Sequence, residues 1–71
     1  MPLVKRSLSL HRHRTSVALE PDFWKVIDEA CAEKKIPLAK LVADIDDSRD
    51  PEDSLSSSLR VFALQQVVKK L

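Results

Sequence analysis

The stretch from Arg14 to Trp24 changes its side-chain periodicity at a proline, where a short alternating run ends and an amphipathic helix begins. Before the proline, Val17 and Leu19 alternate with polar or small residues, which predicts a strand with one buried face. Pro21 then suits the first turn of an amphipathic helix. Because a strand this short cannot satisfy its backbone groups alone, we expect a second copy of the chain to supply a pairing strand.

The chain is 71 residues long, and its composition points to self-association. A core this small rarely stabilises a monomer without disulfides, metals or a partner copy. One cysteine excludes an internal disulfide, while a hydrophobic content of 44% is too high for a disordered chain. We therefore expect a homodimer. The lone cysteine and the lack of a signal-peptide core or a membrane-length apolar run predict a cytoplasmic protein with no membrane partner.

The positive charge is concentrated at the start of the chain. Residues 1–19 contain Lys5, Arg6, Arg12 and Arg14 and no acidic residue, which leaves a net charge of −3 for residues 20–71 given the total of +1. A basic segment on a mildly acidic body is typical of an arm that contacts a polyanion. A solvated basic tail is the alternative interpretation of the same charges.

Two alternating runs lie in this basic segment, and their apolar positions are out of phase. Leu8 and Leu10 stand at even positions, whereas Val17 and Leu19 stand at odd positions. One straight strand cannot bury both sets, because side chains alternate strictly between its faces. The phase must therefore be reset between the two runs.

Three arrangements would reset it. A two-residue turn at Arg12-His13 would pair Leu8 with Val17, although Arg-His lacks the Asn or Gly that such turns prefer. A bulge, or a flexible arm over residues 1–12 ahead of a single strand at residues 14–19, is equally consistent. With the turn, Leu10 would pair with Thr15. The outer face would then carry Lys5, Ser7, Ser9, His11, Arg14, Ser16 and Ala18.

Three helices are predicted after the strand, at residues 21–34, 37–47 and 54–70, each with apolar residues at three- and four-residue steps. Ile36-Pro37 separates the first two helices, and an acidic loop separates the last two. The third helix carries two apolar stripes, which is more than a one-sided helix needs, so we expect it to be buried between subunits. The stripes are Leu55, Leu59 and Phe62, and Val61, Leu64, Val68 and Leu71.

The remaining motifs indicate neither an enzyme nor a cofactor. The sequence has no glycine, which excludes glycine-rich phosphate loops and dinucleotide fingerprints. The run from Ser56 to Ser58 lacks a base or an orienting acid at a recognisable spacing. His11 and His13 share a strand parity, but two histidines are too few to predict a metal site. Cys31 fits a buried apolar position.

The order of strand, proline-started helix, short break and second helix resembles the ribbon-helix-helix family of DNA-binding proteins. The residues that carry this likeness are Arg14 to Leu19, Phe23-Trp24, Ile27, and Ile36 to Val42. A closer likeness, which covers most of the chain and includes the third helix, is to a bacterial subgroup of short ribbon-helix-helix-domain proteins. It is carried by Lys5-Arg6-Ser7, His13 to Ser16, Leu19-Glu20, Phe23-Trp24, Leu41-Val42-Ala43, and Leu55 to Phe62.

This resemblance implies a mainly α fold with a short N-terminal β-ribbon, a third C-terminal helix and an intertwined homodimer. One strand from each chain would form a ribbon that enters the major groove. Arg14, Ser16 and Ala18 would face the bases, since a guanidinium can hold guanine, a hydroxyl can donate or accept, and a methyl can touch thymine. The dimer core would consist of Val17, Leu19, Phe23, Ile27, Leu41, Val42, Ile45, Leu59 and Phe62.

Phosphate contacts are expected from two places. The basic segment would contribute Lys5, Arg6 and Arg12. In the family, the N-terminus of the second helix meets a phosphate through unpaired backbone N–H groups, which here belong to Leu38, Ala39 and Lys40. Pro37 departs from this pattern, because it stands where a Ser or Thr cap is expected.

The sequence therefore predicts a DNA-binding transcriptional regulator, either a repressor or the DNA-binding part of an antitoxin. Its partners would be DNA, a second copy of the chain, further copies on DNA, and a toxin or other protein. The near-neutral total charge, the weak base reader Ala18 and the missing cap at Pro37 leave an alternative. It is a protein-interaction or ligand-sensing module on the same dimeric fold that does not bind DNA.

Overall fold

The computed structural model describes residues 2–71, so Met1, the first residue of the predicted basic arm, lies outside it. Two strands precede three helices. The elements in chain order are β1 (Val4–Leu10), β2 (His13–Leu19), α1 (Pro21–Lys34), α2 (Leu38–Ser48) and α3 (Leu55–Lys69). The predicted fold class, a mainly helical chain with an N-terminal β-ribbon and a third C-terminal helix, is confirmed.

The ribbon is a hairpin formed within one chain. β1 pairs with β2 in an antiparallel two-stranded sheet. The expectation that a second copy supplies the strand beside β2 is thus wrong for this edge, since residues 4–10 form that strand instead of a flexible arm. Within residues 2–71, the other edge of β2 makes no backbone hydrogen bond to any helix or loop. An intertwined dimer remains a prediction for that edge alone.

The turn of the hairpin lies one residue earlier than Arg12-His13. His11 and Arg12 occupy it, with φ values of 51° and 69°, so that Leu8 pairs with Thr15 and not with Val17. Two successive positive φ values give the twist that matches a two-residue hairpin. The register moves by two residues relative to the prediction, and a shift of two keeps every side chain on its face.

Local sequence explains where the helices begin and end. Pro21 opens α1, and Lys35 closes it in the left-handed region at φ 57°, a position that glycine usually takes. α2 starts at Leu38 with Pro37 as its N-cap, one residue later than predicted. Ser54 caps α3 by accepting a hydrogen bond from the backbone N–H of Ser57 at 3.0 Å.

The core lies between the inner face of the hairpin and the three helices. Its most deeply buried large side chains come from β2 and all three helices, and they are Leu19, Ile27, Leu59 and Val42. Of the residues predicted for a dimer core, one chain already buries Val17, Leu19, Ile27, Leu41, Val42 and Leu59, while Phe23, Ile45 and Phe62 are half-buried. Their contribution to a dimer remains a prediction. No helix within residues 2–71 is long and apolar enough to cross a membrane.

Candidate nucleic-acid interface

The hairpin has two chemically different faces. One packs on the helices through Leu10, Val17 and Leu19. The other, which we call the outer face, carries Lys5, Ser7, Ser9, Arg14, Ser16 and Ala18. Its side chains are exposed except that of Ala18, which is half-buried. Alternation along both strands thus brings the three predicted base-contacting residues onto one surface.

Cross-strand pairing sets the layout of the outer face. Arg14 stands opposite Ser9, Ser16 opposite Ser7, and Ala18 opposite Lys5. The hydroxyl oxygens of Ser7 and Ser16 lie 3.4 Å apart, so either can donate to the other. These hydroxyls form a small polar patch between two cationic ends.

The cations of this surface are available to a ligand. Lys5, Arg12 and Arg14 make no salt bridge to any of residues 2–71. No acidic residue occurs in residues 1–19 to neutralise them. The outer face and the turn therefore carry an uncompensated positive charge, which attracts polyanions over several ångströms.

Arg6 is placed differently from the other cations of the basic segment. It lies on the inner side of the hairpin, where its two terminal nitrogens donate to the carboxylate oxygens of Asp28 at 2.8 and 2.9 Å. Its guanidinium also lies 4.4 Å from the ring centre of Trp24. The hydrogen bond between the pair raises the pKa of Arg6 and lowers the pKa of Asp28.

Trp24 attaches β1 to α1. Its side chain is buried, and its indole nitrogen donates to the backbone carbonyl of Val4 at 2.7 Å. Buried tryptophans usually find such an acceptor, which fixes the ring in the core. Trp24 thus contacts β1 at two residues, Val4 and Arg6, and fixes the position of the hairpin on the helices.

The tip of the hairpin is held by α2. His11 Nε2 lies 2.8 Å from a carboxylate oxygen of Asp47, and Asp46 binds Arg49 Nε at 2.8 Å. The ligand atoms of His11, Asp46 and Asp47 all lie within 4.8 Å of one another. Because these side chains are already paired, the cluster acts as a contact between turn and helix. The predicted outer-face position of His11 is accordingly wrong.

The N-terminus of α2 presents a weaker anion site than the family pattern implies. No side chain caps it, so the backbone N–H groups of Leu38 and Ala39 lack an intrahelical partner. The N–H of Lys40 bonds to the carbonyl of Pro37 at 3.1 Å. Its ammonium binds Asp44 at 2.9 Å, and this hydrogen bond raises the pKa of Lys40.

Cys31 lies apart from this surface. It packs in the core, and burial raises the pKa of its thiol. A protonated, buried thiol is a poor nucleophile and a poor metal ligand.

Sequence reasoning missed the ties that hold the ribbon to the helices. The inward position of Arg6 had a signal, since it shares the even parity of Leu8 and Leu10. The contacts of Trp24 with Val4 and of His11 with Asp47 join residues far apart in sequence, and no local sequence pattern indicates these contacts.

The structure is thus that of a small helical protein with a two-stranded ribbon. The exposed face of the ribbon carries cations and hydroxyls. The family model described as "Ribbon-helix-helix domain" matches residues 3–67. The chain belongs to this family, which in general comprises dimeric DNA-binding regulators. Comparisons with curated proteins and with solved structures gave no match.

Proposed function

We propose that this protein is a DNA-binding transcriptional regulator, of the repressor or antitoxin type, that inserts its ribbon into the major groove. The observation that carries the proposal is the outer face, where cations that make no salt bridge within residues 2–71 flank hydroxyls and no acid occurs. The groove is about 12 Å wide and admits a two-stranded ribbon. One chain already contains both strands of such a ribbon.

Base recognition falls to β2. Arg14 would hold the O6 and N7 of a guanine, Ser16 would donate or accept at a neighbouring base, and Ala18 would contact a thymine methyl. Two observations support this assignment: Arg14 is exposed, and it makes no salt bridge to any of residues 2–71. Ser16 lies beside Ser7, so a base can bind either hydroxyl.

Phosphate contacts would come from the edges of the same surface. Lys5 and Arg12 are unpaired within residues 2–71 and suit this role. Arg6 would first have to leave Asp28 and Trp24, so we assign it to the support of the ribbon. At α2, the backbone N–H groups of Leu38 and Ala39 would meet a phosphate, and the Lys40 ammonium would join them only by exchanging Asp44 for it.

We further propose that the protein acts as a homodimer in the bacterial cytoplasm, where its DNA partner lies. Two copies would bring two ribbons to two half-sites, and further copies could line up along DNA. As an antitoxin it would also bind a toxin. No step of this function requires a cofactor, a metal or catalysis.

Selection of bound DNA from random sequences by the purified protein tests the proposal. Binding should weaken steeply as salt rises, because several phosphates release counterions. Arg14→Ala should weaken binding to the selected site by about 5- to 150-fold and relax its sequence preference. Lys34→Ala removes a cation from the last turn of α1 that also makes no salt bridge within residues 2–71, and it should change binding little.

Equal weakening of all sequences by Arg14→Ala would assign Arg14 to the phosphates. No binding at low salt would refute the DNA-binding function. It would favour the second candidate, a protein-interaction module, which the exposed apolar residues of α3 support.

A further inference from the structure

β1 adds a second strand to the surface that is proposed to meet DNA. Lys5, Ser7 and Ser9 alternate along it on the outer face, and all three side chains are exposed. Ser7 and Ser9 stand opposite Ser16 and Arg14, two of the residues assigned to the bases. Each of these serines is thus one strand away from a base-contacting side chain. What β1 contacts depends on which strands enter the groove.

The free edge of β2 decides which strands those are. β2 pairs with β1 along one edge, and within residues 2–71 its other edge makes no backbone hydrogen bond to a helix or loop. In the proposed homodimer, a second copy can pair its own β2 along this edge, since edge strands present unpaired N–H and C=O groups. The two hairpins then form one four-stranded sheet. Its central strands are the two copies of β2, and its outer strands are the two copies of β1.

The width of the major groove separates the central strands from the outer ones. Neighbouring strands lie about 4.8 Å apart, so β2 runs about 2.4 Å from the two-fold axis of such a sheet and β1 about 7 Å from it. The groove is about 12 Å wide, which places its walls about 6 Å from its centre. The central pair therefore fits between the walls. Each copy of β1 lies over a wall, where the sugar–phosphate backbone runs.

The side chains of β1 match a phosphate wall. Phosphate oxygens accept hydrogen bonds from lysine ammonium groups and serine hydroxyls. Lys5 makes no salt bridge within residues 2–71, and residues 1–19 contain no acid that would repel the DNA backbone. The short side chain of Ser9 lets the strand approach the wall closely. Ser7, whose hydroxyl lies 3.4 Å from that of Ser16, stands at the border between the wall and the bases.

We propose that β1 is a phosphate-contacting strand, in which the hydroxyl of Ser9 donates to a backbone oxygen of DNA on the same wall as Lys5. This inference rests on the proposed DNA binding and on the proposed homodimer. It assigns Ser9 to affinity and leaves sequence preference to β2. Arg14 and Ser9 then divide one cross-strand pair between a base and the backbone beside it.

Binding of the full chain to its selected DNA site, and to sites with single base changes, tests this assignment over a salt series. Ser9→Lys should bind every sequence more tightly at low salt. The slope of log affinity against log salt concentration should become steeper by about one for each copy, because a cation is added beside a phosphate. Ser9→Ala should weaken binding to every sequence by roughly 3- to 10-fold, because a hydrogen bond to a phosphate is lost. Base preference should stay unchanged in both variants.

Three further variants serve as controls. Ser57→Lys adds the same charge at an exposed serine on α3, outside the ribbon, and should leave the affinity and the salt slope nearly unchanged. Ser9→Thr keeps the hydroxyl in a residue that suits a strand, and it should bind like the wild type. Ser16→Ala should change the base preference. Ser9→Ala and Ser9→Lys test the contact independently, so one of them suffices if circular dichroism shows that the other is unfolded.

The remaining outcomes separate this inference from the proposed function. An altered base preference in Ser9→Ala or Ser9→Lys would overturn the inference and place β1 among the bases, as happens when one hairpin enters the groove by itself. Unchanged binding by both variants would also overturn it, while binding of the wild type to its selected site would still support DNA binding. A wild type that binds no DNA at low salt would overturn the proposed function and this inference together.

Discussion

Replacing Arg12 with glycine should make the protein more stable and a weaker DNA binder. Arg12 has φ 69° in the hairpin turn, where a residue with a side chain loses about 1–2 kcal/mol to steric crowding. Glycine removes this crowding but gives back about 0.5–1 kcal/mol through the greater freedom of the unfolded chain. We therefore expect the free energy of unfolding to rise by about 0.5–1 kcal/mol. In a chain of this size that raises the Tm by about 2–8 °C.

Thermal unfolding followed by circular dichroism measures this change. Arg14→Gly is the matched control, because it removes the same side chain and charge from an extended position in β2. It should lower the free energy of unfolding by about 0.5–1 kcal/mol. A Tm that falls in both variants would show that the turn is not formed by His11 and Arg12. In DNA titrations over a salt series, Arg12→Gly should weaken binding to every sequence. The slope of log affinity against log salt concentration should become shallower by about one, because one phosphate contact is lost.

Three further changes probe the core, an ion pair and a helix cap. Leu59→Ala should reduce the free energy of unfolding by about 2–5 kcal/mol in urea titrations, because it leaves a cavity at a fully buried site. The lowered pKa of Asp28 means that its pairing with Arg6 stabilises the fold above the ordinary carboxyl pKa, and this stability is lost as pH falls through the folded pKa. Asp28→Asn should thus be less stable than the wild type at neutral pH and equal to it in acid. Ser54→Ala should lower the free energy of unfolding by about 1 kcal/mol, since the N–H of Ser57 loses its acceptor; an unchanged urea midpoint would contradict the cap.

Much of the fold could be predicted, because the spacing of apolar residues along a strand or helix indicates which of its faces is buried. The alternation at Val17 and Leu19 and the three- and four-residue steps around Ile27 identify which side of each element faces the core. The sequence could not decide between the hairpin, the bulge and the flexible arm, nor locate the turn, because His11-Arg12 contains none of the residues that usually mark a two-residue turn. Which of the two stripes of α3 faces inward also depends on packing that no local pattern encodes.

The candidate site, too, could be predicted only in part. The shared surface of Arg14, Ser16 and Ala18 follows from strand alternation alone. The separation of Arg6 from Lys5 depends on Asp28, which lies on α1, and becomes visible only when the hairpin is placed on that helix. Sequence patterns therefore located the polar surface, but only the fold showed which of its cations are neutralised.

The single tryptophan of the chain has a practical consequence. Its indole is buried beneath β1 and bonded to a strand carbonyl, so its emission should be that of an apolar environment in the native state. Any event that lifts the hairpin from α1 would expose the ring to water and shift its fluorescence to longer wavelength. The molecule thus carries an intrinsic optical probe, and ribbon docking can be followed in real time without a dye or a label.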